Sequence, residues 1–377
     1  MKSIPFIRIA VAGGLLLAGL LALVTSGQSQ TIRERMRQRR EARKGDTSTP
    51  QTADARPAAT CSSGPNVGFR IVSFGSGKRA AVWYPSLAAE KSVAYANGLS
   101  SGVAENAPAA NCGSYPLVVF SHGFGGCGTQ SVFVTEALAR HGYIVAAPDH
   151  KDAGCKVDEP KGRFKLQRAE TPFRQPEKWS DKNYADRRDD IRALIDQLPR
   201  MSEFSGRIDT SKIAGMGHSL GGYTMMGMAG GWNSWKDSRL KALVLFSPYA
   251  APYLEQNKLP QINVPVMYQG GERDFGITPG LRKAGGVYDK SNAPKYFLEL
   301  KQQGHLDWTV KACQGDGTVE NCLNEAKART VTDTAIAFLD RYVKGSGAAS
   351  RPTASTSGDL RAAADASVVA DFRAQAN

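Results

Sequence analysis

The chain has no Cys-x-x-Cys pair, no Gly-Lys-Ser/Thr step after a glycine-rich loop, and only five histidines in 377 residues. The first absence argues against a zinc site built on paired cysteines. The second argues against a phosphate-binding loop. The third leaves few side chains able to serve as a general base near neutral pH. Lysine and arginine exceed aspartate and glutamate by a net charge of +13, yet the basic residues are not interleaved with stacking aromatics. Nucleic-acid binding is therefore not expected.

No long membrane-spanning run stands out at the start. Ile9 to Val24 is uncharged and mostly apolar but falls short of the ~20 residues of a transmembrane span. Lys2 and Arg8 precede or open it, and Thr25, Ser26 and Gly27 come after it. Residues 1–30 thus read as a cleaved secretory signal, with an uncleaved membrane anchor as the alternative. No cysteine lies close behind, so lipid attachment is not expected there.

Residues 31–60 read as a basic, disordered linker: Arg33 to Lys44 is densely charged, and Thr, Pro, Ala, Asp and Gln dominate its second half. The basic run is a solvated charged face, with weak contact to anionic surfaces as its one candidate role. Residues 345–377, rich in Ala, Ser, Gly, Thr and Asp, read as a disordered tail. The body between them, 61–344, is long enough for one sizeable domain.

Six cysteines, Cys61, Cys112, Cys127, Cys155, Cys313 and Cys322, fall in that body. An even number in an exported chain implies disulfides, for which fifteen connectivities exist. A local Cys313–Cys322 bridge around Gly315-Asp316-Gly317 is the first expectation. Cys127–Cys155 and Cys61–Cys112 come next, from proximity of their loops.

Hydrophobic patterning along the body alternates strand and helix. Val67–Ser73 and Lys78–Tyr84, joined by Phe74-Gly75-Ser76-Gly77, predict an antiparallel hairpin. Continuous apolar runs at Tyr115–Ser121, Tyr143–Ala147, Ile213–Met216, Leu240–Phe246, Val264–Gln269 and Tyr296–Leu300 predict buried parallel strands. Helices are expected over Gln130–Arg140, Tyr184–Leu198 and Val331–Val343. The polar, basic stretch 149–183 has no clear period and is expected to form an insertion, as a lid or a rim. This is an α/β pattern: a mostly parallel sheet with helices on both faces and an antiparallel N-terminal hairpin. Its functional site belongs at the carboxyl ends of the strands.

Lys212 to Gly222 is the most informative segment. A short apolar strand runs into Gly217-His218-Ser219-Leu220-Gly221 and then a helix-compatible stretch. That order holds a serine on a sharp strand-to-helix turn, where only glycine fits on either side. A serine needs a base, and the base needs a carboxylate to fix its tautomer. On such a sheet the order is Ser, acid, His. His305 is the one histidine downstream of Ser219. The acid is expected in Gly270-Gly271-Glu272-Arg273-Asp274-Phe275, with Asp274 preferred and Glu272 as the alternative. Oxyanion donors are expected from the N–H groups of Leu220 and of Phe124, which comes directly after His122-Gly123. His122 and His218 are read as loop braces. His218, Phe275 and Trp308 are candidates for lining a substrate pocket, with core packing the competing role for the aromatics.

With these residues in hand, the chain resembles the α/β-hydrolase superfamily, and within it the platelet-activating-factor acetylhydrolase and dienelactone-hydrolase-like group, near the bacterial cutinase-like polyester hydrolases. The resemblance rests on the elbow, on Ala81-Val82-Trp83-Tyr84-Pro85, on Phe120 to Gly126, on Val145 to Asp152 with Lys151 where that group carries arginine, and on Arg187 to Leu198 with Asp190 in its acidic place. It implies an exported serine hydrolase of carboxylic esters that uses Ser219, His305 and Asp274 and needs neither metal nor organic cofactor. A small-molecule, lipid or polymeric ester is the expected partner, and a monomer the expected state. A lipase, phospholipid acetylhydrolase or polyester depolymerase differs only in pocket shape. A peptidase would use the same triad, and a non-catalytic binding protein is disfavoured because every triad candidate is present.

Overall fold

Strands alternate with helices along most of the body, and the computed structural model gathers them into one sheet. It describes residues 56, 58–61, 64–95, 98–157, 167–313, 317–345 and 360–376. All of these lie in the unit Thr52–Asn377. The expected signal, most of the basic linker, and residues 158–166 of the insertion lie outside the described residues.

The strands, in chain order, are β1 (Asn66–Phe74), β2 (Lys78–Ser86), β3 (Lys91–Ala94), β4 (Ser100–Glu105), β5 (Tyr115–Ser121), β6 (Ile144–Pro148), β7 (Ile208–His218), β8 (Leu240–Phe246), β9 (Val266–Gly271), β10 (Lys295–Leu300) and β11 (Val369–Gln375). They form one sheet in the order β11-β10-β9-β8-β7-β5-β6-β2-β1-β4-β3. The six strands from β10 to β6 run parallel. The β1–β2 hairpin is antiparallel, as the sequence predicts, and joins β6 antiparallel through β2.

Burial on both faces explains the continuous apolar runs. In β5, Val118 and Phe120 enter one core layer while Leu117 and Val119 enter the other. Alternation with period two sends neighbours to opposite faces, so a strand covered on both sides must be apolar throughout. The helices Val132–Arg140 and Ala326–Leu339 contribute to the first layer. Ala185–Gln197 and Leu220–Met226 contribute to the second. Among the described residues no helix is long and apolar enough to cross a membrane.

Two expectations need correction. The tail 345–377 is not structureless throughout: Leu360 is buried, and Val369–Gln375 pairs antiparallel with β10. Val368, Val369 and Phe372 pack on the core there, too few apolar residues to show a period against the Ala and Asp around them. The final helix also starts earlier, at Ala326, and ends in a wider turn over Asp340–Lys344. The short strands β3 and β4 carry no apolar run, so patterning does not predict them.

The three bridges Cys61–Cys112, Cys127–Cys155 and Cys313–Cys322 are all formed. Cys127–Cys155 ties the insertion to the loop after β5. A bridge closing a loop of this size contributes about 2–4 kcal/mol. The described parts of the insertion are packed onto the body: Trp179 is buried, and Phe173 meets Phe124, Trp179 and Tyr249.

Candidate active site

Five loops at the carboxyl ends of the parallel strands converge. They leave β5, β6, β7, β9 and β10, and they carry Phe124, His150, Ser219, Asp274 and His305 respectively. Ser219 sits between β7 and the helix Leu220–Met226 with φ 53° and ψ −115°. A non-glycine residue held there costs about 1–3 kcal/mol and persists only when its surroundings over-determine it. They do so here: Ser219 N–H donates to Phe246 C=O at 3.0 Å, and Tyr249 N–H donates to Ser219 C=O at 2.9 Å. The flanking glycines are required by space. A Cβ on Gly217 would strike the backbone of Gly221 and Gly222, and one on Gly221 would strike the carbonyls of Ser121 and His122.

The structure brings Ser219, His305 and Asp274 into one string. His305 Nε2 lies 2.9 Å from Ser219 Oγ, and His305 Nδ1 lies 2.7 Å from Asp274 Oδ2. A carboxylate can only accept, so Nδ1 carries the proton and Nε2 is free to accept from the serine hydroxyl. Asp274 is buried. Burial pushes its carboxyl up, but the hydrogen bond and charge of His305 outweigh that and leave it below its ordinary value. Glu272, the alternative acid, is exposed and accepts instead from Gln302 N–H at 2.9 Å.

Among the described residues the two expected oxyanion donors have no competing acceptor. Leu220 opens its helix, so its N–H has no intrahelical partner. Phe124 N–H makes no hydrogen bond in its loop, while its neighbours are tied down: Gly123 N–H donates to Gln130 Oε1 at 3.0 Å and Gly126 N–H to Gly123 C=O at 3.0 Å.

A buried polar network fixes this loop from behind. Arg187 grips Asp152 through Nε at 2.9 Å and Nη2 at 2.7 Å, and donates from Nη1 to His122 C=O at 2.7 Å and Ser121 Oγ at 3.2 Å. His150 accepts from Ser121 Oγ at 2.9 Å and reaches Asp190 Oδ2 at 2.9 Å, and Lys78 pairs with the other oxygen of Asp190. Burial first, and the Arg187 charge second, hold the imidazoles of His122 and His150 well below the usual histidine range. Both are therefore neutral braces. His122 Nδ1–H donates to Gly123 C=O at 2.7 Å, and its Nε2 accepts from His150 N–H at 3.1 Å.

The sequence model of the platelet-activating factor acetylhydrolase, isoform II, family matches residues 86–172 and 182–298, more than half of the chain. The chain belongs to that family. Within this acetylhydrolase family it is 26% identical over 270 residues to the platelet-activating factor acetylhydrolase of Cavia porcellus, covering 63% of this chain and 60% of the relative. It is 24% identical over 270 residues to that of Canis lupus familiaris, covering 63% and 59%. It is also similar to cutinase 2 of Thermobifida cellulosilytica, 26% identical over 197 residues, covering 51% and 61%. The chain thus spans about half to three fifths of the length of the curated relatives it matches. The mostly parallel sheet, with helices on both faces, is the α/β-hydrolase fold that this acetylhydrolase family resemblance implies.

The expected pocket residues do not share one surface. Trp308 does not line a pocket: it is wholly buried in the core, with Nε1–H directed at Gln269 Oε1. It lies three residues beyond His305, where the chain has already turned inward. His218 is buried too and is hydrogen-bonded at both ring nitrogens, to Gln130 and to His305 C=O. Phe275 is the opposite case, 80% exposed beside Asp274. Leu306, beside His305 and 46% exposed, is the other large apolar side chain left open among the described residues. Gln130 and Lys78 belong to the site's scaffold but carry no sequence motif, and Ser121 lies within the Phe120 to Gly126 segment without being singled out there. Ser121 meets His150 29 residues on, Gln130 meets His218 88 residues on, and Lys78 meets Asp190 112 residues on.

Proposed function

We propose that this chain is a carboxylic ester hydrolase of the serine type. The observation that carries the reading is the single imidazole of His305, in hydrogen-bond reach of both Ser219 and Asp274, with Ser219 on a strained strand-to-helix turn. Ser219 Oγ attacks the ester carbonyl carbon while His305 Nε2 takes its proton. The oxyanion forms against the N–H groups of Phe124 and Leu220. Collapse expels the alcohol, which receives the proton back from His305, and leaves an acyl group on Ser219. A water then repeats the sequence, with His305 as base, and releases the acid. Asp274 stays ionised and holds the imidazole upright as it becomes charged.

The names of the relatives support esters with an apolar part: a platelet-activating factor is the substrate named for two of them, and cutin gives its name to the third group. Phe275 and Leu306 favour the same class, since each is the residue after a member of the Ser-His-Asp string and presents apolar surface beside it. Three disulfides and a signal-like N-terminus support action outside the reducing cytoplasm.

The test is turnover of p-nitrophenyl esters of graded chain length. Ser219→Ala should lower kcat by about a millionfold with an unchanged circular-dichroism spectrum. Wild-type labelling by a fluorophosphonate should vanish in the same variant. Retained turnover would remove Ser219 from the mechanism.

A further inference from the structure

Gln130, which no motif singles out, touches two of the loops that the mechanism needs and reaches a third through one side chain. Its amide oxygen accepts from Gly123 N–H at 3.0 Å, one residue before the Phe124 donor. Its amide nitrogen lies 3.1 Å from His218 Nδ1, one residue before Ser219. His218 Nε2 lies 2.8 Å from the carbonyl oxygen of His305 itself. The oxyanion loop, the elbow and the base loop are therefore strung on one relay of three hydrogen bonds.

The chemistry of the relay allows only one arrangement of protons. Gly123 N–H is a pure donor, so the end of the amide facing it is the oxygen. The other end is then NH2 and must donate, so His218 Nδ1 carries no proton. The His305 carbonyl is a pure acceptor, so His218 Nε2 carries the proton and donates it. Every polar atom in the relay is satisfied by a neutral His218 in the Nε2–H form. Burial, and then the charge of His305 nearby, hold this imidazole down at about 3, which fits a permanently neutral brace. The same turn adds two more ties to the base loop: Val310 N–H donates to Gln130 C=O at 2.7 Å, and the Ser131 side chain donates from Oγ to Trp308 C=O at 2.6 Å.

We propose that Gln130 is a positioning residue for ester hydrolysis, which through His218 fixes the distance between the Phe124 donor, the Ser219 hydroxyl and the His305 imidazole. The inference rests on the ester-hydrolase reading above. Gln130 touches neither substrate nor reacting atoms; it acts by keeping three loops in one register. A shift of about 1 Å between such groups is enough to slow the chemistry by about a hundredfold.

The decisive experiment has two arms on the full chain. In the first, Gln130→Met removes both hydrogen bonds while keeping the volume. It should lower kcat by about 10- to 100-fold and leave KM within about twofold. Gln130→Glu keeps an acceptor for Gly123, and it can hold His218 if that ring takes a second proton. Its kcat should recover part of what Gln130→Met loses. A merely structural role would move the melting temperature without this split or this partial rescue. In the second arm, imidazole nitrogen chemical shifts read His218 directly: Nε2–H in the wild type, and protonated at both nitrogens in Gln130→Glu. An Nδ1–H tautomer in the wild type, or a Gln130→Met enzyme with wild-type kcat, would overturn the proposal. Should the wild type show neither ester turnover nor fluorophosphonate labelling, the functional reading falls, and the tautomer arm still decides the relay. If Gln130→Met does not fold, the wild-type tautomer and Gln130→Glu carry the test.

Discussion

The molecule holds two Ser-His-Asp strings of nearly the same geometry. In one, Ser219 Oγ is 2.9 Å from His305 Nε2, and His305 Nδ1 is 2.7 Å from Asp274. In the other, Ser121 Oγ is 2.9 Å from His150 Nε2, and His150 Nδ1 is 2.9 Å from Asp190. They differ in everything around those atoms. The side chain of His305 is 33% exposed, whereas that of His150 is fully enclosed. Ser219 stands on a strained turn beside backbone N–H groups without acceptors among the described residues, while Ser121 ends a regular strand and takes a hydrogen bond from Arg187. Asp190 is shared with Lys78. The comparison teaches that a serine, an imidazole and a carboxylate in line are not in themselves a nucleophile. In the proposed reading, access, an unoccupied lone pair and a place for the oxyanion separate a reacting string from a bracing one.

The largest expected contrast comes from the carboxylates. Asp274→Asn should cost about 10⁴ in kcat because the imidazole loses its tautomer, whereas Asp190→Asn should change kcat far less and show mainly as lost stability. Ester kinetics beside thermal unfolding of both variants checks this. Equal loss of kcat in the two would erase the distinction between reacting and bracing strings.

Removing Arg187, which braces the buried string through Ser121, should be the next largest effect. Arg187→Met leaves Asp152 without its bidentate partner and frees the carbonyls of His122 and Gly123. Removing one member of a buried pair costs about 3–5 kcal/mol, to be read from urea unfolding. A variant as stable as the wild type would mean that the network does not hold the loop.

The smallest effect sharpens the comparison through pH. The imidazoles of His122 and His150 are held well below the usual range, and that of His218 at about 3. The unfolded chain takes up protons on all three near pH 6.5, and the folded chain does not. A depressed folded value means stability that is complete above about pH 6.5 and is lost as pH falls, until the folded imidazoles protonate. Each such group contributes a slope of about 1.4 kcal/mol per pH unit. His150→Gln should therefore flatten the fall in stability below about pH 6.5 by one proton, measured as unfolding free energy against pH. An unchanged slope would show that His150 is not a neutral brace.

The sequence reveals the first string far better than the second. Ser219 lies in a five-residue pattern with a required strand before it and a helix after it, and His305 is the one histidine downstream, so chain order alone joins them. Spacing favours Asp274 over Glu272, and the structure puts Asp274 rather than Glu272 against His305. The second string has no such order: Ser121, His150 and Asp190 come from three separate elements, and only sheet topology brings β5, β6 and the helix Ala185–Gln197 together. Trp308 misleads because proximity in sequence to a loop residue says nothing about which way the next turn faces. Gln130 is invisible for the same reason, since its partners are set by the packing of loops rather than by any periodicity.

The strand contributed by the tail has a consequence for handling the molecule. All six residues of β10 are buried, and β11 occupies the rim that β10 would otherwise present. Without it, a row of unpaired amides and carbonyls would lie open beside an apolar layer, a template for pairing with another copy. A chain trimmed at the apparent end of its body, after Lys344, would keep the Ser219 string intact and yet gain a sticky edge. Its loss would show as turbidity and oligomers rather than as a slower enzyme.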